Sequence, residues 1–276
     1  MGKKFTVACV QNCAIDDVAQ NIRDASELVR QAVGEGADFV CLPEYFTCLE
    51  RTDMLYVERG YSEDEHPALP HFSELAVELK TWLLLGSIAV KVSGEKVHNR
   101  SYLLDASGAV VQTYNKMHLF DVSLKRGETY RESNTVAAGD HACVAELPWG
   151  RLGFSICYDV RFPQLYRNLA HSGVDFISIP AAFTATTGAA HWHVLVRARA
   201  IESGCYVFAP AQFGTRPWGR RTYGHSLIVD PWGEVLADAG AERGIAIAEI
   251  DPAKVGDVRR MIPALNHDRP ISVAHC

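Results

Sequence analysis

Apolar residues recur along this chain in two rhythms that alternate with each other. Phe5-Thr6-Val7-Ala8-Cys9-Val10 reads as a first strand, and Asp16-Asp17 behind it offers a helix N-cap. Val18, Ile22, Ala25, Val29 and Val33 then follow at steps of three and four, the spacing of one helical face, until Gly34 and Gly36 stop it. Residues 38–42 read as a buried strand ending at Pro43-Glu44, which completes a βαβ unit. The same reasoning predicts helices over 71–80, 162–171 and 191–203, and strands over 83–90, 102–104, 110–113, 152–156, 174–179, 206–209 and 227–229. Asp105-Ala106-Ser107-Gly108, Pro148-Trp149-Gly150 and Pro231-Trp232-Gly233 have the chemistry of hairpin turns. Strands alternating with amphipathic segments predict an α/β protein. No linker or low-complexity stretch divides it, so residues 1–276 are expected to form one domain. The longest irregular stretch runs from 121 to 140, and loops of that length in a compact domain often carry function.

Composition narrows the class. Hydrophobic residues fill 48% of the 276 positions, which suits a substantial core and not a disordered chain. Apolar runs such as 82–85 and 176–180 are far too short to span a bilayer, and Met1-Gly2-Lys3-Lys4 leads into a strand pattern, not a signal peptide. A net charge of -6 without any basic stripe gives no electrostatic footprint for nucleic acid. The eight cysteines, at 9, 13, 41, 48, 143, 157, 205 and 276, include no CxxC pair. Free thiols in a reduced, cytoplasmic compartment are therefore expected.

Three reactive side chains share one place in the pattern. Glu44 follows the strand at 38–42, Lys116 the strand that begins at Val110, and Cys157 the strand at 152–156. Groups just past the carboxyl ends of strands tend to converge on one crevice. An acid, an amine and a thiol meeting there compose an acyl-transfer site: a thiolate attacks the poor amide electrophile, a carboxylate moves the proton, and an ammonium and the Tyr158 N–H steady the oxyanion. Taken singly, each has a plainer explanation. Cys157 would be a small buried hydrophobe, Glu44 a solvated turn carboxylate and Lys116 a surface lysine.

Leu42-Pro43-Glu44-Tyr45, Tyr114-Asn115-Lys116-Met117-His118-Leu119 and Cys157-Tyr158-Asp159-Val160-Arg161-Phe162-Pro163 resemble, in order and spacing, the three signature blocks of the nitrilase superfamily of carbon–nitrogen hydrolases. The similarity continues through Ala190-His191-Trp192 to Gly224-His225-Ser226 and so covers essentially the whole chain. The resemblance implies a four-layer αββα sandwich, dimerised through helices. It implies hydrolysis of a small carboxylate-bearing amide to acid and ammonia through a cysteine thioester, with no cofactor and no metal. Carried over by position, Glu44 is the general base, Lys116 the oxyanion-stabilising lysine and Cys157 the nucleophile. A second glutamate is expected between lysine and cysteine. Glu132 fits, since the amidase branch has Glu-Ser-x-Thr there and this chain reads Glu132-Ser133-Asn134-Thr135; Glu128 is its rival.

The branch is read from shorter segments. Phe183-Thr184-Ala185-Thr186-Thr187-Gly188, His191-Trp192 and Arg197-Ala198-Arg199-Ala200 resemble amidases acting on deaminated glutathione and on ω-amides of keto acids. Cys205-Tyr206-Val207 and Ile262-Pro263-Ala264-Leu265 lean towards the deaminated-glutathione type, with an ω-amidase for α-ketoglutaramate or an N-carbamoyl amino acid hydrolase as alternatives. Tyr114-Asn115-Lys116 departs from the family's common Tyr-Arg-Lys. Cys157-Tyr158-Asp159 stands where nitrile-hydrolysing members usually have Cys-Trp-Glu, which argues against nitriles. Tyr158, Arg161 and Phe183 are the candidate substrate-binding residues. Arg161 and Arg197 read equally well as carboxylate ligands or as ion-pair partners of Asp159 or Glu202.

Other classes would rest on the histidines. A metal hydrolase would draw on His191-Trp192-His193, but a zincin pair sits four apart, and residues two apart on a helix face different ways. His118 or His225 would be the base of a Cys–His enzyme. A catalytically silent binding protein on the same fold and an N-acyltransferase are the remaining readings.

Overall fold

The computed structural model describes residues 3–124 and 129–274. Its strands are β1 (Phe5–Gln11), β2 (Phe39–Cys41), β3 (Trp82–Ser93), β4 (Lys96–Leu104), β5 (Val110–Asn115), β6 (Asp121–Ser123), β7 (Thr129–Arg131), β8 (Val144–Leu147), β9 (Gly150–Phe154), β10 (Phe176–Ser178), β11 (Tyr206–Ala209), β12 (Phe213–Thr215), β13 (Arg221–Tyr223), β14 (Leu227–Val229), β15 (Val235–Asp238) and β16 (Gly244–Ile250). The helices are α1 (Val18–Gly34), α2 (Asp53–Arg59), α3 (Ala68–Leu79), α4 (Pro163–His171), α5 (Ala185–Ser203) and α6 (Ala253–Met261).

Two six-stranded sheets form the interior, in the orders β16-β1-β2-β3-β4-β5 and β15-β14-β11-β10-β9-β8. In each, three central strands are parallel and the flanking ones pair antiparallel: β1, β2 and β3 in the first, β9, β10 and β11 in the second. The period-2 alternation of each strand divides its side chains between two cores. Val7 and Cys9 of β1 and Phe39 and Cys41 of β2 share a core with Phe154, Phe176 and Phe208 of the second sheet. Ala8, Val10 and Val40 point the other way, onto Ile22, Ala25 and Val29 of α1 and Phe72 and Leu75 of α3. Phe39 meets Phe208 edge-on between the sheets, with ring centres 6.1 Å apart. Leu165 and Leu169 of α4 and Trp192 and Val196 of α5 pack on the second sheet. The result is the four-layer αββα sandwich. Central strands buried on both faces explain the nearly continuous apolar runs at 39–42 and 206–209, and each such side chain contributes about 1.5–3 kcal/mol.

The structure extends several sequence-predicted elements. α1 is capped by Asp17, whose carboxylate accepts the Gln20 N–H at 2.9 Å. α3 starts at Ala68 and not at 71, and Lys80 ends it in the left-handed region with φ 51°. α5 starts at Ala185, six residues before the predicted 191, with the Thr184 hydroxyl accepting the Thr187 N–H. Its first turns lack apolar periodicity because Gly188 lies flat against Tyr223, where a Cβ would overlap the ring. α2, α6, β12, β13 and β16 have no counterpart among the predicted elements, β15 is the second arm of the hairpin signalled at 231–233, and β4 extends well ahead of the predicted 102–104. Within 121–140, β6 and β7 pair antiparallel and a 3₁₀ turn follows at Glu132–Asn134. Three-residue strands are too short to show an alternation. Glu128 lies outside the described residues.

Candidate active site

The site is built where strand ends of both sheets meet. Beyond β2 the chain turns at Pro43, whose carbonyl accepts the Ser87 N–H at 3.2 Å, while Ser87 Oγ accepts the Tyr45 N–H at 3.0 Å. This needs close approach of β3, since a Cβ on Gly86 would overlap the carbonyl oxygens of Leu42 and Pro43. Tyr45 has φ 52°, a costly conformation for a residue with a Cβ. Gln212 holds it there by donating Nε2 to the carbonyls of Glu44 and Tyr45, both at 3.1 Å. Glu44 is thereby fixed at the sheet's end, buried.

Cys157 opens a 3₁₀ turn, Cys157–Arg161, three residues beyond β9 and also has positive φ, 49°. Its N–H donates to the Pro180 carbonyl at 2.9 Å. Asp159 clamps the turn to the Lys116 segment. Its carboxylate accepts the Ile156 N–H and the Tyr114 hydroxyl at 2.8 Å, the His118 N–H at 3.0 Å, and lies 2.7 Å from His118 Nδ1.

Lys116 directly follows β5 and is only 2% exposed. Its Nζ donates to Glu44 Oε1 at 2.9 Å and to the two Glu132 oxygens at 3.1 and 2.9 Å. Asn99 of β4 donates Nδ2 to the same two carboxylates, at 2.9 and 3.2 Å. Glu44 Oε2 accepts the Ala182 N–H at 2.9 Å, and Glu132 Oε2 the Phe120 N–H at 2.6 Å. Glu44, Lys116, Cys157 and Glu132 therefore share one cluster. Asn99, Tyr45 and Gln212 are additions that the sequence reading missed.

The electrostatics follow from burial and this wiring. Burial pushes the Cys157 thiol up and the neighbouring Glu44 adds to it; together they outweigh the pull of Lys116, so the group rests as a thiol. Burial also pushes the Glu44 carboxyl up, but Lys116 and hydrogen bonds from Cys157, Lys116 and Asn99 outweigh it and hold the carboxyl below its ordinary range. Burial disfavours the Lys116 ammonium, yet Glu132 and Glu44 beside it hold its pKa well above the usual lysine value. These directions favour an ionised Glu44 carboxylate and a neutral Cys157 thiol beside the Lys116 ammonium.

A cleft opens on Cys157 between Tyr158, Phe183, Phe120 and Tyr130, and Arg220 also lines it. Tyr158 and Phe183 line it. Arg161 does not; its guanidinium stands 5.8 and 5.3 Å from those two ring centres and hydrogen-bonds His191 at 3.3 Å. The alternative ion pairs for Arg161 and Arg197 do not form: Asp159 engages His118 and Tyr114, Glu202 engages Arg199, and Arg197 donates to the Gly233 carbonyl at 2.8 Å. His118 is stacked on Phe162 with ring centres 3.6 Å apart, and neither it nor His225 lines the cleft. His191 and His193 diverge, as the helix requires. His193 instead meets His225 and Asp238, their ligand-type atoms within 4.8 Å of one another, and both rings reach the Asp238 carboxylate, at 3.1 and 3.0 Å.

Similarity to known proteins agrees with this geometry. A deaminated glutathione amidase from Synechocystis is 43% identical over 96% of this chain and 98% of its own length. The crystal structure of the Caenorhabditis elegans NitFhit protein superposes with a TM-score of 0.90 at 35% identity, over 98% of this chain and 66% of that one, so this chain spans about two thirds of it. The crystal structure of Saccharomyces cerevisiae Nit3, a member of branch 10 of the nitrilase superfamily, gives 0.85 at 29% identity over 95% of each chain. The sequence model of the carbon–nitrogen hydrolase family matches residues 6–260. With fold, strand-end cluster and sequence in agreement over nearly its full length, this chain belongs to the carbon–nitrogen hydrolase family and is an amidase of the nitrilase superfamily.

Proposed function

We propose that the chain cleaves a small carboxylate-bearing amide of the deaminated-glutathione type, using Glu44, Lys116 and Cys157 as its catalytic triad and Glu132 as the fourth member. The observation that carries this is the Lys116 ammonium held by both Glu44 and Glu132 in the cleft that Cys157 lines. When an amide carbonyl enters, Glu44 takes the thiol proton and Sγ bonds to the carbonyl carbon. The Lys116 ammonium and the Tyr158 N–H steady the oxyanion, each such donor being worth roughly 2.7–4 kcal/mol of barrier. Glu44 passes its proton to the departing nitrogen, the C–N bond breaks, and a thioester remains. Water, deprotonated by the same carboxylate, then releases the acid. Glu132 holds Lys116 in place through both its carboxylate oxygens. Phe183 and Tyr158 flank the acyl half of the substrate, and the Arg161 guanidinium packs against both rings.

Release of amine or ammonia from a panel tests the reading: deaminated glutathione, α-ketoglutaramate, an N-carbamoyl amino acid, a simple aliphatic amide and a nitrile. The leaving group of the first is a peptide amine, so its assay follows that amine or the acid, not ammonia. Highest kcat/KM on deaminated glutathione, lost in Cys157→Ala, is expected. A preference for α-ketoglutaramate moves the assignment to an ω-amidase, and silence throughout would leave a binding protein.

A homodimer in the cytoplasm completes the proposal. Ile201 of α5, Trp232 in the β14–β15 turn and Ile262 after α6 are each more than half exposed and border one recess, an apolar face suited to a second copy. The cysteines among the described residues are unpaired, as a reducing compartment would keep them. No helix among those residues is long and apolar enough to cross a membrane. Light scattering of Trp232→Asp is expected to show monomers where the native chain shows dimers.

A further inference from the structure

A second recess continues the cleft outwards. It shares Asp53, Tyr130, Thr184 and Arg220 with the inner cleft and extends to Trp218 and Arg221. Arg220 stands at the seam, with its guanidinium carbon 5.7 Å from the Tyr130 ring centre. The turn carrying it is braced: the Arg216 N–H donates to the Arg220 carbonyl at 2.9 Å, and the buried Arg216 guanidinium donates to the carbonyls of Ala14 and Phe213. Among the described residues, Arg220 Nε is buried without a hydrogen-bond partner, and so is Trp218 Nε1 in the same recess. Lys116, the other cation of the inner cleft, is already held by two carboxylates. Buried unpaired donors are costly, and two of them on one wall fit an acceptor-bearing ligand. Asp53 is the acidic residue of this recess, against Arg51, Arg220 and Arg221; Arg51 is engaged by Asp16 at 2.9 Å.

The order of thioester chemistry decides which half of a substrate lies here. The acyl half stays on Cys157 while the amine departs, so the amine half must face the open side, and the recess is that side. We propose that Arg220, assisted by Trp218 Nε1 and Arg221, binds a carboxylate on the amine half of the substrate. The enzyme then favours amides of anionic, peptide-like amines over amides whose amine half is neutral. This rests on the carboxylate-bearing amide reading above and adds to it a subsite for the leaving group.

The test compares deaminated glutathione with its C-terminal carboxamide, which share one acyl half. The native enzyme is expected to prefer the carboxylate by about 10- to 100-fold in kcat/KM, the range of a charge-assisted hydrogen bond, and Arg220→Gln to bring that ratio near one. Since both substrates yield the same thioester, kcat is expected to differ less than KM wherever deacylation limits turnover. A native ratio near one, a native-sized ratio in Arg220→Gln, or an equal loss on both substrates would overturn the proposal. Should Arg220→Gln not fold, salt decides on the native enzyme: the ratio is expected to fall as ionic strength rises, and a flat ratio overturns the subsite. Native turnover of both substrates at one rate removes the Arg220 subsite and leaves the substrate reading standing. Turnover of neither removes both.

Discussion

The two sheets repeat one plan, and their register shows where the halves part. Val7, Ala8 and Cys9 lie beside Phe39, Val40 and Cys41, as Leu152, Gly153 and Phe154 lie beside Phe176, Ile177 and Ser178. Counting on from these pairs, Leu42-Pro43-Glu44-Tyr45-Phe46 falls on Ile179-Pro180-Ala181-Ala182-Phe183, and Asn12 falls on Cys157. One proline turn delivers a carboxylate. Its counterpart delivers backbone, the Ala182 N–H that holds Glu44 Oε2. The thiol is placed the other way round: the second half has Cys157, whereas the first has Asn12, which donates to the Phe46 carbonyl at 3.0 Å. The fold thus offers each strand-end position twice, and the acid, amine and thiol are distributed so that unlike groups meet. Glu44 and Lys116 come from the first sheet and Cys157 from the second, so the cluster exists only when the sheets are packed.

Substitutions at matched positions break this comparison most sharply. Cys157→Ala is expected to lower kcat by at least about 10⁴-fold in the amine-release assay, because among the described residues no other thiol lines the cleft. Asn12→Ala, at the equivalent place, is expected to act on stability instead, by about 1–3 kcal/mol in urea unfolding through the carbonyl it leaves unpaired. Lys116→Met removes the cation between Glu44 and Glu132, and a loss of about 3–5 kcal/mol is predicted from the uncompensated buried charge. That loss is expected to shrink as pH falls, since protonated carboxyls no longer need the lysine. A deficit independent of pH would contradict the wiring.

Gly86→Ala sharpens the comparison at the turn itself. The added methyl must displace the Leu42-Pro43 carbonyls, so kcat is expected to fall about 10²-fold through a misplaced Glu44. Crystallography of the variant would show whether the turn has moved. The smallest effect concerns pH. Glu44 is held below its ordinary range, so the acid limb of kcat/KM for the folded enzyme is expected below the unperturbed glutamate value of about 4.3. Glu44 therefore supports folding above its unfolded pKa, and that support is lost as pH falls through its lower folded pKa. Asn99→Ala removes a hydrogen bond to the carboxylate and is expected to move the limb upwards. A limb already above pH 5 in the native enzyme would contradict the ionised-base account.

The parts legible in the sequence are those that repeat locally. Alternation placed the central strands, and reactive residues just past them gave Glu44, Lys116 and Cys157 a common address before any family was invoked. Glu132 was legible only through its motif, because the short β6–β7 pair before it carries no periodic signal. Asn99 was hidden for a different reason. It lies in the polar half of β4, Lys96 to Arg100, where charged neighbours mask a strand whose Asn99 side chain is fully buried. Gln212 and Arg220 are set by pairings across the two sheets and across the β12–β13 hairpin, which no local spacing encodes.

The central claim is that Cys157 carries the acyl group while Glu44 manages the protons. Intact-mass and peptide mass spectrometry of the native enzyme, acid-quenched during turnover of the preferred amide, addresses it directly. The account predicts an adduct equal to the acyl half of the substrate on the peptide containing Cys157, absent from Cys157→Ala and not formed in Glu44→Gln. An adduct on another residue, or turnover that persists in Cys157→Ala with no adduct formed, would contradict it.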